Sequence, residues 1–77
     1  MRLINKIFFD EIIVSVFDFD LKYVIKFEKK DLEQTFKVDK LEFKTSEEVY
    51  EIINNELLDS IKNRFSDMSS DLKKFYS

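Results

Sequence analysis

Carboxylates are the side chains through which this sequence could do chemistry, and Asp10, Glu11, Asp18 and Asp20 lie close enough along the chain to gather around a hard cation. An EF-hand loop needs a central glycine and a terminal bidentate Glu at fixed spacing. Neither is present, so these acids are read as turn residues and no metal site is expected. Paired carboxylates also serve general acid–base catalysis. A chain with 16 acids offers many such pairs by chance, however, and a domain this small rarely encloses the roughly 300 Å³ of a substrate pocket. The absences point the same way. The 77 residues contain no His, Cys, Gly, Pro, Trp or Ala, which removes the usual nucleophile, the neutral-pH base, the soft metal ligands and the glycine loop that cradles phosphates. Neither enzyme activity, a cofactor nor a small-molecule substrate is expected; the chain should work through its surface.

Lysine is the second chemically suggestive type. Lys22 and Lys26 share one face of an alternating run, Lys29 and Lys30 follow, and Lys37, Lys40 and Lys44 come next, interleaved with Tyr23, Phe27 and Phe36. A basic sheet face with stacking aromatics is a single-strand-binding pattern. Tyr23, Phe27 and Phe36 fall on the opposite parity from the lysines, as in a buried face beneath a solvated one, and residues 1–44 carry nine acids against nine bases. Nucleic-acid binding is therefore the lesser alternative.

The elements that would position these groups follow from periodicity. Leu21, Tyr23, Ile25 and Phe27 alternate with Lys22, Val24, Lys26 and Glu28, a half-buried strand. Ile12–Phe17 is β-branched-rich, and Asp18-Phe19-Asp20 reads as the hairpin connection between the two runs. Leu32, Gln34, Phe36 and Val38 share one parity while Leu41 and Phe43 take the other, which a hairpin turn or a bulge at Asp39-Lys40 would explain. Leu3–Phe9 fits strand or helix and is assigned as strand. Thr45-Ser46-Glu47-Glu48 matches a capping box, and Val49, Ile53, Leu57 and Ile61 form one helical stripe to about residue 65. Ser66–Ser70 should interrupt that helix and leave a short helical tail. The expected fold is α+β in one domain over residues 1–77: an antiparallel sheet of three to four strands from residues 2–44, under one amphipathic helix from 46–65. Phe17, Tyr23, Ile25, Phe27, Phe36, Val49, Ile53, Leu57 and Ile61 are the expected core.

Charge is unevenly spread. Between Thr45 and Ser60 lie Glu47, Glu48, Glu51, Glu56 and Asp59 and no base, and the net charge of −3 belongs to the C-terminal part. Glu47 and Glu48 complement a helix dipole. Glu51, Glu56 and Asp59 lie too far along for that, and a continuous wheel places Ile52 among Glu48, Glu56 and Asp59, with Leu58 similarly off the apolar stripe. An aliphatic ringed by carboxylates resembles a hot spot with a polar rim. The expected partner-binding set is Glu48, Glu51, Ile52, Glu56, Leu58 and Asp59, and the expected partner is a protein with a basic surface.

Ala, Gly and Pro are all specified by GC-rich codons, so the gene should be AT-rich, as in many phages and mobile elements. The function expected is an acidic inhibitor that blocks the nucleic-acid-binding surface of a host defence protein. A self-associating accessory domain, a homodimer meeting through Ile52, Leu58, Phe75 and Tyr76, is the other alternative. No apolar run reaches the roughly 20 residues of a membrane span and no cleavable leader is legible, so the cytoplasm is the expected compartment.

Overall fold

The computed structural model describes residues 1–76. Strands β1 (Arg2–Phe9), β2 (Ile12–Phe19), β3 (Lys22–Lys29) and β4 (Leu32–Asp39) form one antiparallel sheet in the order β1-β2-β3-β4. Helices α1 (Ser46–Ile52) and α2 (Asn55–Tyr76) follow. This is the expected α+β fold with the upper strand count, and Leu3–Phe9 is strand. No helix among the described residues is long and apolar enough to cross a membrane.

Each strand is eight residues long and each connection two, and a two-residue hairpin needs backbone with positive φ. Without glycine, the first residue of each turn supplies it: Asp10 at φ 51°, Asp20 at 56° and Lys30 at 54°. Asp accepts this region readily, whereas Lys30 holds it against a steric penalty. Lys30→Gly is expected to raise stability by about 0.5–1 kcal/mol, read from the urea midpoint, with no gain from Lys30→Ala. A glycine variant no more stable than the parent would contradict the turn geometry.

Two expected boundaries move. Asp18 and Phe19 complete β2, and the turn is Asp20-Leu21, which leaves Leu21 exposed instead of in the strand. Asp39-Lys40 is neither a hairpin nor a bulge leading to another strand. There the chain leaves the sheet through a turn in which the Glu42 and Phe43 amides donate to the Asp39 carbonyl at 3.0 and 3.1 Å. A bulge does occur, in β1, where the register slips between Leu3 and Asn5.

Asp18 ties this end of the sheet together. It accepts from Arg2 at 3.2 Å and from Lys40, whose ammonium also lies 5.2 Å from the Tyr23 ring centre. The Lys40 hydrogen bond chiefly holds the Asp18 carboxyl below its ordinary pKa, Arg2 adds to it, and burial opposes both.

Side-chain alternation sorts the sheet into two faces. Ile12, Val14 and Val16 of β2 and Tyr23, Ile25 and Phe27 of β3 point toward the helices and pack with Val49, Leu58, Ile61 and Phe65. Full burial of each such side chain is worth about 1.5–3 kcal/mol. Gln34 crosses this layer, donating to the Ile61 carbonyl at 2.9 Å and accepting from Arg64 at 3.3 Å. Ile53 and Leu57 only flank the core, and Phe36 stays partly exposed while meeting Phe27 edge-on at 6.1 Å. Phe17, an expected core residue, is on the opposite face, since it pairs with Val24 and alternates with Val14 and Val16.

The single expected helix is two. Ile53 caps α1, and the Asn54 side chain caps α2 by accepting from the Leu57 amide at 3.0 Å. Asn favours caps over helix interiors because its amide competes for backbone groups, and the Asn54-Asn55 pair ends one helix and starts the next. Beyond it, α2 runs through Ser66–Ser70 without interruption to Tyr76. Phe65 and Leu58 are buried, and Met68 packs beside them, so an apolar stripe carries the helix past residue 65.

Candidate functional site

The break at Asn54 redistributes the expected partner-binding residues. Glu48, Glu51 and Ile52 belong to α1 and Glu56, Leu58 and Asp59 to α2, so no continuous wheel unites them. Leu58 is a correction: it is 5% exposed and part of the core, because the restarted helix turns it inward with Ile61 and Phe65. Glu48 is engaged locally, its carboxylate accepting from the Lys44 amide at 3.2 Å. The expected capping box does not form: Glu48 reaches past Thr45 to the Lys44 amide, and Thr45, whose backbone is extended, contributes no side-chain cap. Glu51, Glu56 and Asp59 are exposed, and Ile52 is 54% exposed.

Ile52 gains a context that the wheel did not provide. It forms part of a cleft of about 150 Å³ between α1 and the β3–β4 side of the sheet, shared with Phe36, Val38, Phe43, Val49 and Leu57. The lining is entirely apolar; Glu48 lies one helical turn before Ile52 on α1, and Glu56 follows across the break, in the first turn of α2, where it also complements that helix's dipole. An apolar side chain bracketed by cations is the chemistry this arrangement fits.

A larger cleft, about 380 Å³, opens between the far end of α2 and the β1–β2 and β3–β4 turns. It exceeds the size expected of so small a domain. Lys29, Lys30, Lys62 and Lys73 line it with Ser66, Ser69 and Ser70. Lys29 is paired with Glu11 at 3.6 Å, and Lys62 with Asp10 at 2.9 Å. The Lys62 hydrogen bond holds the Asp10 carboxyl below its ordinary pKa and reciprocally raises that of the Lys62 ammonium. Here Asp10 and Glu11 anchor lysines, and Asp18 is committed to Arg2 and Lys40. Among the described residues no group of three or more carboxylates is placed to hold a metal.

The third surface is the sheet face away from the helices. The register aligns its side chains in rows across the strands: Lys6–Ser15–Lys26–Thr35, then Leu3–Phe17–Val24–Lys37, with Phe8–Ile13–Glu28–Glu33 on one side and Phe19–Lys22–Asp39 on the other. Tyr23, Phe27 and Phe36 lie opposite Lys22, Lys26 and Lys37, as their parity indicated, whereas Lys29 shares the helix-side face and Lys40 sits over the Tyr23 ring. Phe8 of β1 and Phe17 and Phe19 of β2, however, share the lysine face, a juxtaposition that only the pairing register reveals.

No protein-family model, curated protein or solved structure matches this chain.

Proposed function

We propose that this chain is a non-catalytic protein-binding module that occupies a basic surface of its partner through the α1–α2 elbow, with Glu51, Ile52, Glu56 and Asp59 as the contact set. The observation that carries this reading is Ile52, an exposed aliphatic at a wholly apolar cleft in a stretch with five acids and no base. The cleft takes an apolar anchor, and the carboxylates stand where a polyanion's phosphates would, steering the encounter and holding register. In its most specific form the module is an inhibitor from a phage or mobile element that acts in the cytoplasm and blocks the nucleic-acid-binding surface of a host defence protein. The glycine-, proline- and alanine-free composition of an AT-rich gene supports that origin.

The test is affinity capture from the native host's lysate, with nucleic-acid binding by the captured protein as the second readout. Triple reversal Glu51→Lys/Glu56→Lys/Asp59→Lys is expected to abolish capture while the domain stays folded, with a loss of only about 1 kcal/mol because Glu56 lies in the first turn of α2, and Ile52→Ala to weaken it about thirtyfold, as for a hot spot of about 2 kcal/mol. Undiminished capture by the triple variant, or a partner whose nucleic-acid binding is unaffected, defeats the reading.

A further inference from the structure

The sheet's open face departs from what an uncovered antiparallel face should be. Such faces alternate cleanly, polar side out. Here Leu3, Phe8, Ile13, Phe17, Phe19 and Val24 all point away from the helices, and Phe8 is 67% exposed, Phe19 50% and Leu3 49%. Val24 is buried and Ile13 and Phe17 are half-buried, so the exposed apolar surface is that of Phe8, Phe19 and Leu3, on either side of the Lys6–Lys26 row; large rings left bare on one sheet face mark a contact site.

The charges on the same face say what kind. Lys6, Lys26 and Lys37 make no ion pair among the described residues, whereas Lys22 is held by Asp39 at 2.6 Å. The Lys26 ammonium sits 5.8 Å from the centre of the Phe17 ring, so a cation and an aromatic surface are already side by side. Glu28 and Glu33 occupy one corner, at the β3–β4 end of the Phe8 row, next to the row of Lys26 but without an ion pair to it. A second copy laid on this face would bring an uncompensated lysine row near its equal, which disfavours self-pairing. The acids from Glu47 to Asp59 lie on the helices and not on this face, so a polyanion approaching the sheet avoids them.

We infer that the open face binds single-stranded nucleic acid, with backbone phosphates along Lys6, Lys26 and Lys37 and unpaired bases stacked on Phe8, Phe17 and Phe19. Stacking requires bases whose faces are free, which a duplex hides. Thr35, exposed in the lysine row, places a hydroxyl beside the backbone track. This site is separate from the α1–α2 elbow and stands or falls independently of it.

Fluorescence anisotropy with labelled oligo(dT) and oligo(U) of about 15 nucleotides tests this at low ionic strength, with a duplex of the same length alongside. The expected result is binding to the single strands, weaker binding to duplex, and a log K against log salt slope of about −2, from three neutralised phosphates. Comparison of the two oligomers separates DNA from RNA as the preferred strand. Phe8→Ala and Phe19→Ala, both at exposed positions, should each weaken binding about 5- to 100-fold with unchanged far-UV circular dichroism. Lys26→Gln/Lys37→Gln should flatten the salt slope to about −0.7, that of one remaining phosphate contact. The elbow reversals Glu51→Lys/Glu56→Lys should leave both phenylalanine effects intact. The inference is overturned by absence of binding at low salt, by equal affinity for duplex, or by phenylalanine variants that bind like the parent. Sedimentation that reveals a dimer dispersed by Phe8→Ala would overturn it too, by assigning the face to a second copy.

Discussion

Phe65→Ala is expected to cost about 3–5 kcal/mol, the range for emptying a buried aromatic site. Phe65 is 1% exposed and packs with Leu58 and Ile61 from the same helix against β2 and β3. A chain of 77 residues holds only about 4–12 kcal/mol in total, so this one change takes the domain close to its unfolding threshold. Equilibrium urea denaturation measures it, with Phe75→Ala as the contrast: Phe75 is 84% exposed, and its loss should fall within about 0.5 kcal/mol. A Phe65 variant within about 1 kcal/mol of the parent would remove that ring from the core.

Asp67→Pro is expected to be nearly as damaging, about 3 kcal/mol, although Asp67 itself is exposed. The residue lies in the interior of α2, where proline removes one backbone hydrogen bond and drives its ring into the carbonyl of Asn63. If Ser66–Ser70 were a break between two helices, proline there would be nearly harmless. Far-UV circular dichroism separates the alternatives, since a continuous helix should lose its last turns together with the packing of Met68. Unchanged ellipticity and an unchanged urea midpoint would mean that α2 ends near residue 65.

How far the fold was legible depended on whether the governing signal was local. The alternation from Tyr23 to Phe27 identifies β3 and its buried side without help, because period two has no competing reading there. Ser66–Ser70 looked like punctuation, but serines tolerate a helix whose apolar stripe continues through Phe65 and Met68, and tertiary packing outweighed propensity. Asn54-Asn55 was the opposite case. A stripe drawn through Val49, Ile53 and Leu57 conceals that an asparagine pair prefers to cap, and the misplacement of Leu58 follows from that one omission. The strand boundaries were also written in the chain, as acidic or lysine-containing pairs at Asp10-Glu11, Asp20-Leu21 and Lys30-Asp31, ten residues apart. Lacking glycine, those pairs do not resemble hairpin turns. The open-face rows were not legible at all, because which phenylalanine lies beside which lysine depends on pairing between strands.

The slip between Leu3 and Asn5 has a bearing on solubility. β1 is an outer strand of the sheet, and an outer strand with a full row of free amides and carbonyls invites copies to add end over end into fibres. The displaced backbone at Ile4 breaks that row near its start, and the charged Arg2 and Lys6 stand on either side. A molecule that displays Phe8 and Leu3 beside such a margin would otherwise be a ready template for runaway stacking. One misaligned residue shortens the stretch of β1 that another strand could join.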